Sequence, residues 1–335
     1  MQIADRIHTW FENVQKPAAL GESVAGLECI ACGGPLEILK VFGDKPNVAH
    51  CPCCGTQQQH PLPHLHEVVA YYTDYPTTRA PAEQHARLVA LNVACLRRAL
   101  SAAGASDKAM IGKRFLEVGF GNGTGLVAAA RLGANATGVD LDSTTLERLR
   151  QLAGEFNVKV DALVGELSEL GDLQKPFDII KASHVIEHTL DPRAFAAQLA
   201  RLQPPGGILM IECPNNKALL WIVKNWVRIR FARGHFYNSL KITEHLWGFT
   251  RETLPQLIER AGYEVVDCRD YSVGDGQYQP DTVAWYPTWG RAVLDAIRSG
   301  ASYPLLYAAV RTFDQLSSRL LGGGSCLALV ARRSR

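Results

Sequence analysis

Short apolar runs, most of them closed by glycine, proline or an acid, recur through the C-terminal two thirds of the chain. The first is Phe115-Leu116-Glu117-Val118, and others occupy 136–140, 160–164, 177–181, 208–213, 263–266 and 325–331. Runs this short read as buried strands. A helical pattern starts directly after the first run, at Leu126-Val127-Ala128-Ala129-Ala130, and another covers 303–320. Upstream, 83–103 places His85, Leu88, Val89, Leu91, Val93, Leu96 and Leu100 along one face, which predicts a long helix packed on the strands. Residues 1–15 are also amphipathic, through Ile3, Ile7, Trp10, Phe11 and Val14. Small-residue stretches at 17–26 and 102–108 read as linkers, and 270–287 reads as irregular.

The first strand meets its helix through Gly119-Phe120-Gly121-Asn122-Gly123-Thr124-Gly125. Glycines let backbone approach a ligand closely, and the helix start beyond them offers unpaired N–H groups. A dinucleotide turn would read G-x-G-x-x-G and bind a pyrophosphate. Here the spacing is G-x-G-x-G, and Glu117 stands two residues before the first glycine. A carboxylate at that place suits a cationic headgroup such as an α-amino group. The second strand ends in Asp140, about 20 residues past the first glycine, where a carboxylate meets ribose hydroxyls.

The joint series E-V-G-F-G-N-G, G-V-D, F-D-I-I, H-V-I-E-H-T-L-D-P and P-G-G resembles the class I S-adenosylmethionine-dependent methyltransferases. The resemblance runs from about residue 112 to the C-terminus. It implies an α/β fold with a seven-stranded, mostly parallel Rossmann-like sheet, helices on both faces and an antiparallel pairing at the last strand. It also implies roles in binding S-adenosylmethionine. Glu117 and the backbone at Gly119, Gly121 and Gly123 would hold the methionine end, Asp140 the ribose, and Glu166 the adenine amino group. The usual residue at Glu166 is aspartate.

The charge balance adds little: net charge is +2 in 335 residues, which gives no bulk electrostatic case for nucleic acid. No apolar run approaches a membrane span, and 1–15 lacks the unbroken core of a signal peptide. Nine cysteines without such a signal point to a reducing compartment, with the cytoplasm as default. Cys29-x-x-Cys32 and Cys51-x-x-Cys54, about 18 residues apart, have the spacing of a tetrahedral zinc site. Glycine after each pair lets backbone N–H groups turn toward sulfur. The segment between reads as a hairpin, with strands at 36–42 and 48–50. A piece this small cannot hold a core alone, so a structural Zn2+ would supply its folding energy. The expected organisation is an N-terminal helix and linker (1–24), a zinc ribbon (25–60), connecting helices (61–110) and the methyltransferase domain (111–335). A ribbon, a proline step at 61–63, the Tyr71-Tyr72 pair and then this domain together resemble bacterial small-molecule and sugar methyltransferases.

Within the domain, 217–243 is an insertion mixing Trp221, Trp226, Phe231, Phe236 and Tyr237 with Lys224, Arg228, Arg230 and Arg233. It reads as a lid helix with a basic face, or as a receiver for an anionic or lipid-linked acceptor, with peripheral membrane contact. Further on, Thr250 resembles a helix N-cap whose box is only partial, because Thr253 stands where an acid belongs.

His184, Glu187 and His188 sit at i, i+3 and i+4 past the fourth strand and would share a face if that turn is helical. Three readings stay open here. His184 is the general base, since imidazole titrates near neutrality; the three form a metal site; or Glu187 and His188 only cap and pack the loop. The ubiquinone-biosynthesis O-methyltransferases are similar in this segment but carry a carboxylate where His184 stands, which weakens the metal reading. His245 is a rival base. The function read from the sequence is methylation, at oxygen, of a sugar or small metabolite in surface-polysaccharide or secondary metabolism. The alternatives are C- or N-methylation of a nucleotide sugar, and a non-catalytic ribbon adaptor binding a protein partner.

Overall fold

The computed structural model describes residues 23–39, 47–68, 82–170, 176–223, 245–272, 289–299 and 303–335. The helix expected at 1–15, the Tyr71-Tyr72 pair and 224–243 of the insertion lie outside them, as do 273–287. Two compact units divide the chain. One comprises Met1–Leu62, Cys213–Leu254 and Arg269–Leu327; the other comprises Pro63–Glu212, Pro255–Cys268 and Ala328–Arg335.

The first unit opens with β1 (Ser23–Glu28), β2 (Pro35–Leu39), β3 (Asn47–His50) and β4 (Gln57–His60). Successive strands pair antiparallel, Glu37 against His50 and Ala49 against Gln58. β1 begins inside the stretch read as a linker, and β4 was not legible at all. Gln57-Gln58-Gln59 has no apolar signal, yet Gln58 and Gln59 are buried, because β4 sits between β3 and a later two-residue strand. Pairing on both edges overrides a weak strand propensity.

The second unit carries α1 (Ala82–Ala102), β5 (Arg114–Val118), α2 (Thr124–Arg131), β6 (Asn135–Asp140), α3 (Thr144–Glu155), β7 (Asp161–Val164), β8 (Ile179–Ser183), α4 (Pro192–Arg201) and β9 (Ile208–Pro214). The first unit also holds β10 (Trp247–Gly248), which pairs with β4, and α5 (Thr253–Arg260) follows it in the chain. β11 (Tyr263–Tyr271), α6 (Trp289–Ser299), α7 (Tyr303–Leu321) and β12 (Cys326–Arg333) complete the order. α4 starts as its sequence dictates: the Asp191 carboxylate accepts from the N–H groups of Arg193 and Ala194, with Pro192 at the first helical position. At α5 the partial box is completed by a hydroxyl. Thr250 N–H donates to Thr253 Oγ1 at 2.8 Å, and Thr253 N–H donates back to Thr250 Oγ1 at 3.2 Å.

Seven strands form one sheet in the order β11-β12-β9-β8-β5-β6-β7. β5 pairs parallel with β6 and β8, and β6–β7 and β8–β9 are parallel too. This is the seven-stranded, mostly parallel Rossmann-like sheet expected from the sequence. Its core joins Leu96 and Leu100 of α1 to Phe115, Leu126, Val127 and Leu149, all almost fully buried. The chain runs outward from β5 through β6 and β7, then returns to β8 on the other side. In open parallel sheets ligands bind outside the strand carboxyl ends at such a switch. The loops after β5, β6 and β8 meet there.

Candidate active site

The turn after β5 is built on left-handed backbone: φ is +68° at Gly119, +48° at Gly121 and +76° at Gly123. Side chains rarely adopt that conformation. At Gly119 a Cβ would also lie 2.6 Å from Val185 Cγ2. Gly125, the second residue of α2, has a different reason to be glycine. A Cβ there would overlap both carboxylate oxygens of Glu117. The strand-end acid therefore packs flat against the first turn of the helix.

Glu117 is 4% exposed and Lys181 is 7% exposed. The Lys181 ammonium donates to Glu117 Oε1 at 2.8 Å and to Asn92 Oδ1 at 3.3 Å. Asn92, from α1, donates in turn to Thr124 Oγ1 at 2.9 Å and to the Leu88 carbonyl. Glu117 Oε2 is buried and has no hydrogen-bond partner among the described residues. On the next strand Glu212 is 6% exposed and accepts from Ser183 Oγ at 2.5 Å. Burial alone would pull the Lys181 ammonium down, but the carboxylates of Glu117 and Glu212 outweigh it and hold it above the ordinary lysine range. Burial pushes the Glu212 carboxyl up, against the opposing pull of Lys181 and Ser183. Burial, with Glu212 nearby, pushes the Cys95 thiol up to about 12. The sequence reading found Glu117 but missed Lys181, Asn92 and Glu212. The signal was present: a lysine inside F-D-I-I-K-A-S, on a strand buried on both faces, must have a partner.

Asp140 closes β6 with both oxygens engaged. Oδ2 accepts from Gly121 N–H at 2.8 Å and Oδ1 from Asp142 N–H at 3.0 Å. These bonds oppose the burial that raises its carboxyl above the ordinary range, and they tie the end of β6 to the glycine turn. Glu166 is exposed just past β7, within reach of Ser168 Oγ at 3.2 Å.

Past β8 the short 3-10 turn covers Ile186–His188, and His184 lies before it at φ +54°. The expected shared helical face is therefore absent. What joins these residues is the Glu187 carboxylate, which is fully buried. Its Oε1 lies 2.9 Å from His184 Nδ1 and 3.7 Å from His188 Nε2. His184 N–H donates to the Glu212 carbonyl at 2.8 Å, which pins the loop to β9. His245 is buried in the first unit, just before β10.

In the first unit the Sγ atoms of Cys29, Cys32, Cys51 and Cys54 all lie within 4.8 Å of one another. Cys29 Sγ is 3.5 Å from Cys54 Sγ, and Cys32 Sγ is 3.5 Å from Cys51 Sγ. The two knuckles close alike: Gly33 N–H donates to the Cys29 carbonyl and Gly55 N–H to that of Cys51. Gly34 N–H faces Cys32 Sγ at 3.3 Å, as its place after the pair led one to expect. Cys53 is exposed and stands outside the four.

The sheet order, the acid-tipped glycine turn and the acid ending β6 define a class I S-adenosylmethionine-dependent methyltransferase. The chain belongs to the methyltransferase-domain family, whose model matches residues 86–267. It is 36% identical over 104 residues to a ubiquinone biosynthesis O-methyltransferase of Mesorhizobium japonicum, covering 31% of this chain and 42% of that protein. To the protein of the same name from Maricaulis maris it is 32% identical over 135 residues, covering 38% and 53%. The chain thus spans about half the length of these curated relatives. Magnesium protoporphyrin IX methyltransferase of Synechocystis, solved with bound SAH, covers 80% of this chain and 98% of its own at 14% identity and TM-score 0.49. No helix among the described residues is long and apolar enough to cross a membrane.

Proposed function

We propose that the protein methylates an oxygen of a hydroxylated small molecule, with S-adenosylmethionine as donor. The observation that carries this is the spare oxygen of Glu117, held at the end of β5 against a side-chain-free turn. That oxygen accepts the α-ammonium of the donor, and the turn leaves room for its backbone to pass. Asp140, fixed by two backbone N–H groups, receives the ribose hydroxyls. Glu166 receives the adenine amino group. S-adenosylmethionine supplies an electrophilic methyl on a good, cationic leaving group, so the chain need only align the acceptor and take its proton.

His184 takes that proton. Its Nδ1 is held by the buried Glu187 carboxylate, which orients the ring and stabilises it once charged. The relatives named as O-methyltransferases support oxygen as the methylated atom. The acceptor class read from the domain layout is a sugar or a small metabolite. The four-cysteine cluster holds a structural zinc: the sulfur spacings fit a tetrahedral ion, whose edges are about 3.8 Å for a Zn–S distance of about 2.3 Å. None of the nine cysteines is in a disulfide, which suits a reducing compartment, and we place the protein in the cytoplasm.

Titration calorimetry with S-adenosylhomocysteine tests the donor site, and absence of heat at millimolar ligand rejects it. Labelled donor offered with a panel of sugars and hydroxylated aromatics then finds the acceptor. With an acceptor in hand, His184→Gln should lower kcat by about 10²- to 10⁴-fold, the usual range for a lost general base. Donor affinity should stay within twofold. If His245→Gln gives the larger loss and His184→Gln almost none, the proton goes to His245.

A further inference from the structure

We propose that Lys181 is a positioning residue for the methyl donor: its ammonium, clamped between Glu117 Oε1 and Asn92 Oδ1, fixes the Glu117 carboxylate so that the second oxygen is presented to the donor's α-ammonium. This rests on the donor-site reading above. The geometry is specific. The carboxylate has a wall on one side, because Gly125 of α2 approaches it too closely for any Cβ. On another side Lys181 holds one oxygen at 2.8 Å and leaves the other without a hydrogen-bond partner among the described residues. Lys181 is itself held by Asn92, whose amide reaches back to Thr124, the first residue of α2. The brace therefore links β8, α1 and the helix that starts from the glycine turn.

A buried carboxylate needs compensation, and one cation can satisfy only part of it. Lys181 faces two carboxylates, Glu117 on β5 and Glu212 on β9. The Cys95 thiol of α1 also faces it, and His184 lies near Glu212. Arg98 reaches the Cys95 sulfur at 3.7 Å. Two acids against one ammonium leave room for a second positive charge, and the donor brings one. With Lys181 removed, Glu117 and Glu212 share a dry interior without a cation, which favours a proton bound there. A cationic ligand must then displace it. Binding by the variant should release protons and tighten as pH rises.

Titration calorimetry on Lys181→Met with two probes tests this. S-adenosylhomocysteine carries the α-ammonium, whereas 5′-methylthioadenosine has the nucleoside and no amino-acid arm. S-adenosylhomocysteine should weaken about 10- to 100-fold, the scale of a charge-assisted hydrogen bond. Its binding should also gain proton release, read from the dependence of heat on buffer. 5′-methylthioadenosine should stay within twofold. Equal loss of both ligands, or no loss of either, overturns the role of Lys181. A native protein that binds neither ligand overturns the donor site itself and this inference with it. If Lys181→Met does not fold, Asn92→Ala removes only the second clamp and should weaken S-adenosylhomocysteine alone, several-fold; equal effects on both probes again overturn the proposal.

Discussion

Replacing Glu117 by methionine should lower the unfolding free energy by about 3 kcal/mol and weaken S-adenosylhomocysteine binding at least about tenfold. The first effect follows from what the substitution strands. Lys181 is buried, and its closest charge partner is Glu117 Oε1 at 2.8 Å. With that carboxylate gone, an ammonium remains in a low-dielectric interior with Asn92 and the more distant Glu212. Breaking a buried pair by removing one partner typically costs about 3 to 5 kcal/mol, because the surviving charge has lost its compensation. In a domain of this size that lowers the melting temperature by roughly 10 °C. The second effect follows from loss of the oxygen that takes the donor's ammonium. The double variant Glu117→Met/Lys181→Met separates the two. Removing both partners leaves no stranded ammonium, and Glu212, whose carboxyl burial already pushes up, keeps its Ser183 hydrogen bond, so much of the stability should return while donor binding stays lost. Melting curves with and without ligand read both. A single variant melting within about 2 °C of the native protein would show that the pair does not carry this stability, and one that binds S-adenosylhomocysteine normally would remove Glu117 from the site.

The contrast between Glu117 and Lys181 shows which parts of the site the sequence exposes. Glu117, the alternating glycines and Asp140 stand in local patterns, each within a few residues of a turn, so strand, bend and acid are legible together. The partners of Glu117 come from elsewhere in the chain. Asn92 lies on a helix that its sequence marks only as amphipathic, and Lys181 and Glu212 sit on separate strands. Register fixes their meeting: Glu117 pairs across β5 and β8 with Lys181, and Ser183 pairs across β8 and β9 with Glu212. No single-sequence pattern carries register between parallel strands joined by helices. The fold followed the same division. Sheet strands with apolar runs were placed to within about two residues, as β9 was, except that β11 continues five residues past Val266. β4 escaped because its burial comes from the strands beside it and not from an apolar run, and β10 because two residues are too short to make a run. At His184 the local reading failed differently. It made the shared face conditional on a helical turn, and a left-handed residue and a short 3-10 turn bring the same side chains to Glu187 by another path.

The cysteine cluster is the part of the chain where sequence spacing and geometry coincide most fully, and it gives the second large effect. Cys51→Ser should abolish stoichiometric zinc and unfold β1–β4. Few apolar groups support these strands: besides cysteines, their fully buried cluster is Ala31, Leu36 and Ala49. A core of that size cannot offset the entropy of ordering the strands. Burial also pushes the Cys51 and Cys54 thiols up, which favours their protonated forms without a cation, whereas against its own burial the Gly34 N–H and neighbouring sulfurs hold Cys32 down. A divalent ion reverses both deficits, and the apparent folding energy it supplies in small modules is about 10 kcal/mol or more. Elemental analysis should find one zinc per chain in the native protein and in Cys53→Ser, and less than a tenth of that in Cys51→Ser. Hydrogen exchange should show the amides of Gly33 and Gly55, bonded to the Cys29 and Cys51 carbonyls, slow with metal and fast after chelation. If those amides stay protected in metal-free protein, the ribbon holds itself together by packing alone. If Cys53→Ser loses the metal while Cys54→Ser keeps it, the second knuckle uses a different sulfur from the one its spacing selects.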